Sequence, residues 1–246
     1  MPDATRPGVE PVRIGDLVSP LRYDVLVRAQ LFEMFAAEPD VLAGPPEDLV
    51  RRAEAMPYRV WFERVAVARF KPHLLLEPGA LDQAFAVRVA GAASLFRAVE
   101  RDGFDERHPV LLRRSDHRTR SQPGKPVRPG LQIADGCHRL SLLMCLGWKE
   151  LPARFYCVDS RPLTDLPDNT ARLLGPLGLG IADYAAFLSL RYADTEHHQL
   201  NHLVRYVANR RPELLGELLG VIAADAPLLR GVDDDPMVDH PPTTQS

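Results

Sequence analysis

The run Asp135-Gly136-Cys137-His138-Arg139 sets a carboxylate, a thiol, an imidazole and a guanidinium around one glycine. Leu131 to Ala134 reads as a strand leading into it. Gly136 to Gly147 reads as a helix closed by its last glycine. A strand that ends at Asp135 and turns at Gly136 can bring its backbone close to a ligand. The next backbone N–H groups are the free donors of a helix N-terminus, at the positive end of its dipole. Arg139, in the first turn, adds a fork of charged donors. Together these make a compact anion site, and phosphate is its natural guest. The same residues also suit a plain strand-to-helix turn, with Asp135 capping the helix and Arg139 paired at the surface. Cys137, at a helix N-terminus near Arg139, is expected to be an activated thiol, because both stabilise the thiolate.

A second cluster of charge precedes the turn. Residues 107–128 carry seven Lys or Arg against one acid. Arg113, Arg114, Arg118, Arg120 and Lys125 are therefore candidates for a clamp on an anionic ligand. The alternative is a solvated hairpin loop. No aromatic residue lies between Arg113 and Arg128, which argues against a platform for stacking single-stranded nucleic acid. His198 and His202 stand four apart on a helical stretch, but the Glu of a His-Glu-x-x-His motif is missing, so surface histidines are expected and no metal site. Gly175 to Gly180 reads as a turn. Cys145 and Cys157 read as small apolar residues, and Trp61 and Trp148 as core. Leu21-Arg22-Tyr23-Asp24 follows the first strand and can line the same cleft, a placement nothing else in the sequence supports.

The elements that must position these residues are punctuated by 23 prolines. Residues 1–11 are polar and Pro-rich and read as frayed. Val12 to Val18 reads as a short strand, and Leu21 to Ala37 as a helix. A further helix opens at Pro46-Glu47-Asp48. Arg59 to Leu76 fits either a strand or a buried helix end. Gly79 to Asp102 is a clear helix, with Leu81, Phe85, Val89, Ala92, Phe96 and Val99 on one face and Gly103 after it. Pro109 to Arg113, Leu131 to Ala134 and Leu151 to Val158 read as strands. The last two are expected to be parallel neighbours through a right-handed crossover. Ile181 to Tyr192, Glu196 to Asn209 and Glu213 to Ala224 have helical periodicity. Residues 232–246 are acidic and Pro-rich and read as disordered.

Composition bounds the rest. Lys plus Arg is 30 and Asp plus Glu is 33, a net charge of −3, which argues against a general nucleic-acid coat. No apolar run approaches the roughly 20 residues of a membrane helix. The N-terminus has no apolar signal region, and three cysteines are too few for a disulfide frame. The expectation is a reduced, cytoplasmic protein without a membrane partner.

Asp-Gly-Cys-His-Arg, followed by a helix and Leu-Gly-Trp-Lys-Glu-Leu-Pro-Ala, resembles the ParB/sulfiredoxin superfamily. Leu95 to Gly103 and Phe104 to Leu112 are similar to the helix and strand before its motif. The resemblance covers residues 90–158, less clearly 12–20, and not the C-terminal third. It implies an α/β fold: a small mixed sheet with flanking helices, here with a helical N-terminal insert and a helical C-terminal region. The implied division is 1–11, a disordered arm; 12–160, the nucleotide-binding domain; 161–231, a helical region; and 232–246, a disordered acidic tail.

Three branches of the superfamily bear on function. In sulfiredoxins the Gly-Cys-His-Arg turn holds ATP phosphates, and its cysteine attacks a phosphorylated sulfinic acid. Gly136, Cys137, His138 and Arg139 match that turn. Chromosome-partitioning relatives bind CTP and DNA, but their Gly-Glu-Arg-Arg turn is absent, so DNA is not the expected partner. A free-serine-kinase branch carries Asp-Gly-His-Thr-Arg, which fits the Asp135-Gly136-x-x-Arg139 frame. Asp135 would then be a general base or a magnesium-associated carboxylate. The resemblance therefore implies phosphate binding by Gly136, Cys137, His138 and Arg139. Asp135 and Cys137 are the catalytic candidates, ATP or another nucleotide and Mg2+ the cofactors, and phosphotransfer to a small molecule the activity. A non-catalytic nucleotide-regulated binding protein and a reductase using Cys137 are the alternatives.

Overall fold

The computed structural model describes residues 5–18, 22–122, 129–161, 163–167, 169, 188–189, 200–213, 215–216 and 218–219. Strands β1 (Thr5–Pro7) and β2 (Val12–Arg13) lead into a one-turn helix, α1 (Ile14–Leu17). The sequence reading of Val12 to Val18 as a strand thus holds for two residues only. The expected fraying of residues 1–11 is also corrected for Thr5 to Gly8. Thr5–Pro7 pairs antiparallel with Tyr156–Asp159, and the Gly8 N–H donates to the Tyr156 carbonyl at 3.1 Å. Pro7, which has no N–H to give, sits where an edge strand tolerates it.

A long helical section follows. Helix α2 (Tyr23–Ala37) buries Val25, Val27, Leu31, Phe32, Met34 and Phe35 almost all round, because other helices pack on several of its sides. Three short helices come next: α3 (Pro39–Ala43), α4 (Pro46–Glu54) and α5 (Pro57–Trp61), each with proline in its first turn. Arg59 to Leu76, ambiguous in sequence, is helical. It runs from α5 through a π-helical stretch, Phe62–Val67, into α6 (Ala68–Phe70) and a 3-10 turn at Pro72–Leu75. Helix α7 (Ala80–Asp102) begins after Gly79 and ends at Gly103, both with positive φ. Its predicted face is the buried one: Phe85, Val89, Ala92 and Phe96 are inside. Phe32 stacks on Phe96 and Phe35 meets both edge-on, with ring centroids within 6.3 Å, which joins α2 to α7.

The four-stranded sheet has β3 (Val110–Ser115) as an inner strand. It pairs antiparallel with the next-but-one strand in sequence, Gly130–Asp135, and parallel with Tyr156–Asp159; β1 closes the far edge. Between them β4 (Arg120–Gln122) leaves the loop to pair with Asp165–Pro167. We number the remaining strands β5 (Gly130–Asp135), β6 (Glu150–Leu151), β7 (Tyr156–Asp159) and β8 (Asp165–Pro167), and the motif helix α8 (Cys137–Cys145).

The parallel β5–β7 neighbours expected from the sequence do not form. Between α8 and β7 the chain pairs Glu150–Leu151 with β2 and makes a 3-10 turn after Pro152. β7 then adds on the far side of β3, antiparallel in direction to β5. The single strand expected over Leu151 to Val158 is broken for the same reason. What results is a mixed α/β architecture with α8 packed on α2. Among the described residues no helix is long and apolar enough to cross a membrane. Of the expected C-terminal helices, α9 (Leu200–Arg210) is described, with Leu203 and Val207 buried. The Gly175 to Gly180 turn, His198 and residues 232–246 lie outside the described residues.

Candidate anion-binding site

The turn between β5 and α8 has a specific local origin. Gly136 caps α8 at φ 86° and ψ 19°, in the left-handed region that costs other residues about 1–2 kcal/mol. A Cβ there would meet the Val110 Cα and the Arg139 Nη2, each at 3.1 Å. The Leu140 N–H makes the first helical bond back to the Gly136 carbonyl, which leaves the N–H groups of Cys137, His138 and Arg139 as the free end of the helix.

β5 reaches this turn through a bulge. Leu111 pairs with Asp135 but Leu112 pairs with Ile133, so Ala134 is the extra residue. Strict alternation would put Asp135 on the inner face with Ile133; the bulge turns it out, and its side chain is 79% exposed at the rim, 4.0 Å from Arg139.

Beneath the turn lies a buried charge cluster that the sequence only touched. Arg22 forks onto Asp24, with Nε to Oδ1 at 2.9 Å and Nη2 to Oδ2 at 3.1 Å. It also donates from Nη1 to the Ile133 carbonyl at 3.1 Å, and from Nη2 to the Cys137 Sγ at 2.8 Å. Arg28, one helical turn on, bonds Asp24 through both its side chain and its carbonyl. Burial works to raise the Asp24 pKa, but the two guanidiniums outweigh it and hold the carboxyl well below the usual range. Burial likewise opposes the charge on Arg22; Asp24 and then Cys137 overcome it and hold the guanidinium protonated. Arg22 therefore fixes the start of α2 against the end of β5 and the start of α8. The hydroxyl of Ser141 adds to the joint, donating to the Val25 and Cys137 carbonyls at 2.9 and 2.8 Å.

His138 faces away from the turn. Its Nε2 shares a 2.8 Å hydrogen bond with the Tyr58 hydroxyl, and its ring meets Trp61, Tyr58 and Phe32 edge-on. Burial, then the cations Arg28 and Arg88, hold it well below the ordinary histidine pKa against a small pull from Asp24. It is neutral at pH 7. Tyr58 is pushed up to about 12 by burial and stays protonated. Arg28 lies over the Trp61 ring at 4.0 Å and Arg88 approaches it at 5.8 Å.

Arg22, Asp24, Arg28, Trp61, Arg88 and the Asp135–Arg139 turn open on one cavity of about 1300 Å³. Seven arginines and six acids line it, but most of the acids are already engaged: Asp24 by Arg22 and Arg28, Asp102 by Arg101, Asp105 by Arg107, Glu106 by Arg154. Arg88 has no acidic partner among the described residues.

Several sequence expectations are corrected here. Of the proposed clamp, Arg113 lines the cavity and is tied to Asp159 at 2.9 Å. Arg114, Arg118 and Arg120 do not line the cavity: 110–115 is held in the sheet between β5 and β7, and 120–122 pairs with β8. Lys125 lies outside the described residues. The cation at Cys137 is Arg22; Arg139 instead donates to the His108 carbonyl and lies across Gly136. The side chain of His138 goes to aromatic rings, so only its backbone N–H remains at the turn. Trp61 is a cavity wall as well as core, and Trp148 is partly exposed against Phe155. Arg22 and Asp24 do line the cleft. Arg28 and Arg88 were missed; both sit on helices whose apolar pattern drew attention to their neighbours.

Cys137, Cys145 and Cys157 are half-buried and form no disulfide, and burial pushes the Cys145 thiol up to about 11. No family model, no curated protein and no solved structure matches this chain.

Proposed function

We propose that this chain is a nucleotide-binding protein of ParB/sulfiredoxin type that transfers a phosphoryl group to a small molecule. The carrying observation is the free N–H end of α8, which opens with Arg139 into the arginine-lined cavity. Helix N-terminal donors and guanidiniums are the groups that bind phosphate. The volume supports two reactants: about 1300 Å³ exceeds the roughly 300–1,000 Å³ of an ordinary small-molecule site. In this reading phosphates sit on Gly136, Cys137, His138 and Arg139 through backbone N–H groups and the guanidinium.

Asp135, free of strong pairing at the rim, takes the proton of the acceptor. Among the described residues no three metal-ligating side chains converge, so a dedicated metal cage is not on offer. Magnesium would be held chiefly by the phosphates and its own waters, and Asp135, the carboxylate beside the turn, would join it only in place of acting as the base. There it would neutralise phosphate charge.

Two measurements test this. Calorimetry with ATP, ADP, CTP and GTP plus magnesium should find one nucleotide bound, and Arg139→Ala should weaken it by about 1.5–3 kcal/mol, the cost of a lost charge-assisted bond. Unchanged affinity would remove the phosphate assignment. Asp135→Asn should keep nucleotide binding and slow transfer by roughly 10²–10⁴-fold, the usual worth of a general base. Binding without any turnover in the wild type would instead favour a nucleotide-regulated binding protein. The Arg22 donor on Cys137 supports one competing chemistry, ATP-dependent reduction of a sulfinic acid with Cys137 as nucleophile. Cys137→Ser should abolish such a reduction, and activity that survives it rules the cysteine out.

A further inference from the structure

A second chamber of about 480 Å³ adjoins the main cavity, and Ala66, Phe70, Arg88, Leu95 and His138 belong to both. Its walls are mostly apolar, with Lys71, Arg88 and His138 the polar side chains among them. The π-helical stretch supplies Phe62, Ala66 and Val67, and α7 supplies Val87, Gly91 and Leu95. A π turn inside a helix is rare and frequent at functional sites. Here it lines both spaces. Phe70 and Val87 stand 70% and 69% exposed at the rim, so the chamber offers apolar surface that the described chain does not cover. Gly91 keeps it open: a Cβ there would meet nothing within 4 Å.

The junction of the two spaces has a different chemistry. Arg88 stands there without an acidic partner among the described residues. Behind it, Arg28 and Trp61 line the main cavity, more than nine-tenths buried. The Arg28 Nε and the Trp61 Nε1 are buried donors with no acceptor. Orphan donors of this kind cost free energy unless a partner arrives. His138 is neutral and adds no charge.

An apolar body beside two cations, Lys71 on the chamber wall and Arg88 at the junction, selects against neutral and cationic ligands. It also offers few partners for the polar edges of a nucleobase. We infer that the chamber binds a small organic acid with an apolar body, an alkyl or aryl carboxylate, whose carboxylate meets Arg88, with Lys71 as the second cation on the wall. Naming this acid as the acceptor rests on the phosphotransfer reading; its binding does not.

The test is titration of the full chain, followed by tryptophan fluorescence from Trp61 and Trp148, with octanoate, butyrate and octanol. Octanoate should saturate at least tenfold more tightly than butyrate, which lacks the apolar body, and than octanol, which lacks the charge. Arg88→Ala should weaken octanoate at least tenfold, with recovery in Arg88→Lys. Gly91→Leu, which fills the chamber without a backbone clash, should do the same, with circular dichroism confirming that both variants stay folded. Arg139→Ala should leave octanoate within twofold while weakening nucleotide. Equal binding of octanol, or octanoate affinity indifferent to both Arg88→Ala and Gly91→Leu, would overturn the inference. So would loss of nucleotide binding in Gly91→Leu, which would make the chamber a base pocket. Octanoate binding with no nucleotide binding at all would leave the inference standing and sink the phosphotransfer reading alone.

Discussion

Asp24 is fully buried between two guanidiniums, and its worth lies in completeness. A buried ion pair gains little over apolar packing, but removing one partner strands the other charge, at about 3–5 kcal/mol. Asp24→Asn should therefore lower unfolding stability by about that amount, read as an earlier urea midpoint. A loss below about 1 kcal/mol would show that Arg22 and Arg28 find other partners, and that the cluster does not anchor the site. The contrast with Arg139 explains what could be read in advance. The donors of the α8 turn are local: a glycine, a helix start and an arginine within four residues announce them. Arg22 acts through Ile133 and Cys137, 111 and 115 positions away, and only the tertiary fold brings them together.

Elements show the same divide. Helix α7 was legible because its periodicity and flanking glycines are properties of contiguous residues, and Pro46 opened α4 for the same reason. Strand order was not legible. Whether β7 adds beside β5 or beyond β3 depends on pairings of Val12 with Leu151 and of Thr5 with Asp159, which no periodicity encodes. The bulge at Ala134 was equally silent, yet it turns Asp135 to the rim. Gly136 carries an element-scale prediction. Gly136→Ala places a Cβ at 3.1 Å from backbone and guanidinium in a left-handed conformation, so stability should fall by at least about 1–2 kcal/mol. Because α8 must shift to relieve the contact, anion affinity should fall with it. Calorimetry on the folded variant separates the two effects, and native affinity with lowered stability would mean that the turn tolerates the shift.

At the scale of the whole molecule, a chain of net charge −3 gathers seven arginines around one cavity, and a neutral histidine records the field of two of them, Arg28 and Arg88. Folded His138 refuses a proton that the unfolded chain accepts near its ordinary value of 6.5. Its contribution to stability is thus complete above pH 6.5 and is lost as pH falls below it, with a slope of up to about 1.4 kcal/mol per pH unit. Asp24 and Asp159 are held below the ordinary carboxylate value of 3.8, so their contributions persist through this range and fail only in stronger acid. Between pH 6.5 and 5 the loss should therefore carry a one-proton slope. His138→Gln should flatten it, leaving the steeper loss below pH 4. A wild-type profile level from pH 7.5 to 5, followed by urea unfolding, would mean that His138 is solvated and not pressed between Arg28 and Arg88. The same titration reports on the cavity. An anion bound at those arginines cancels part of the field that disfavours the imidazolium, so saturating ligand should reduce the slope in the wild type and have no such effect in His138→Gln.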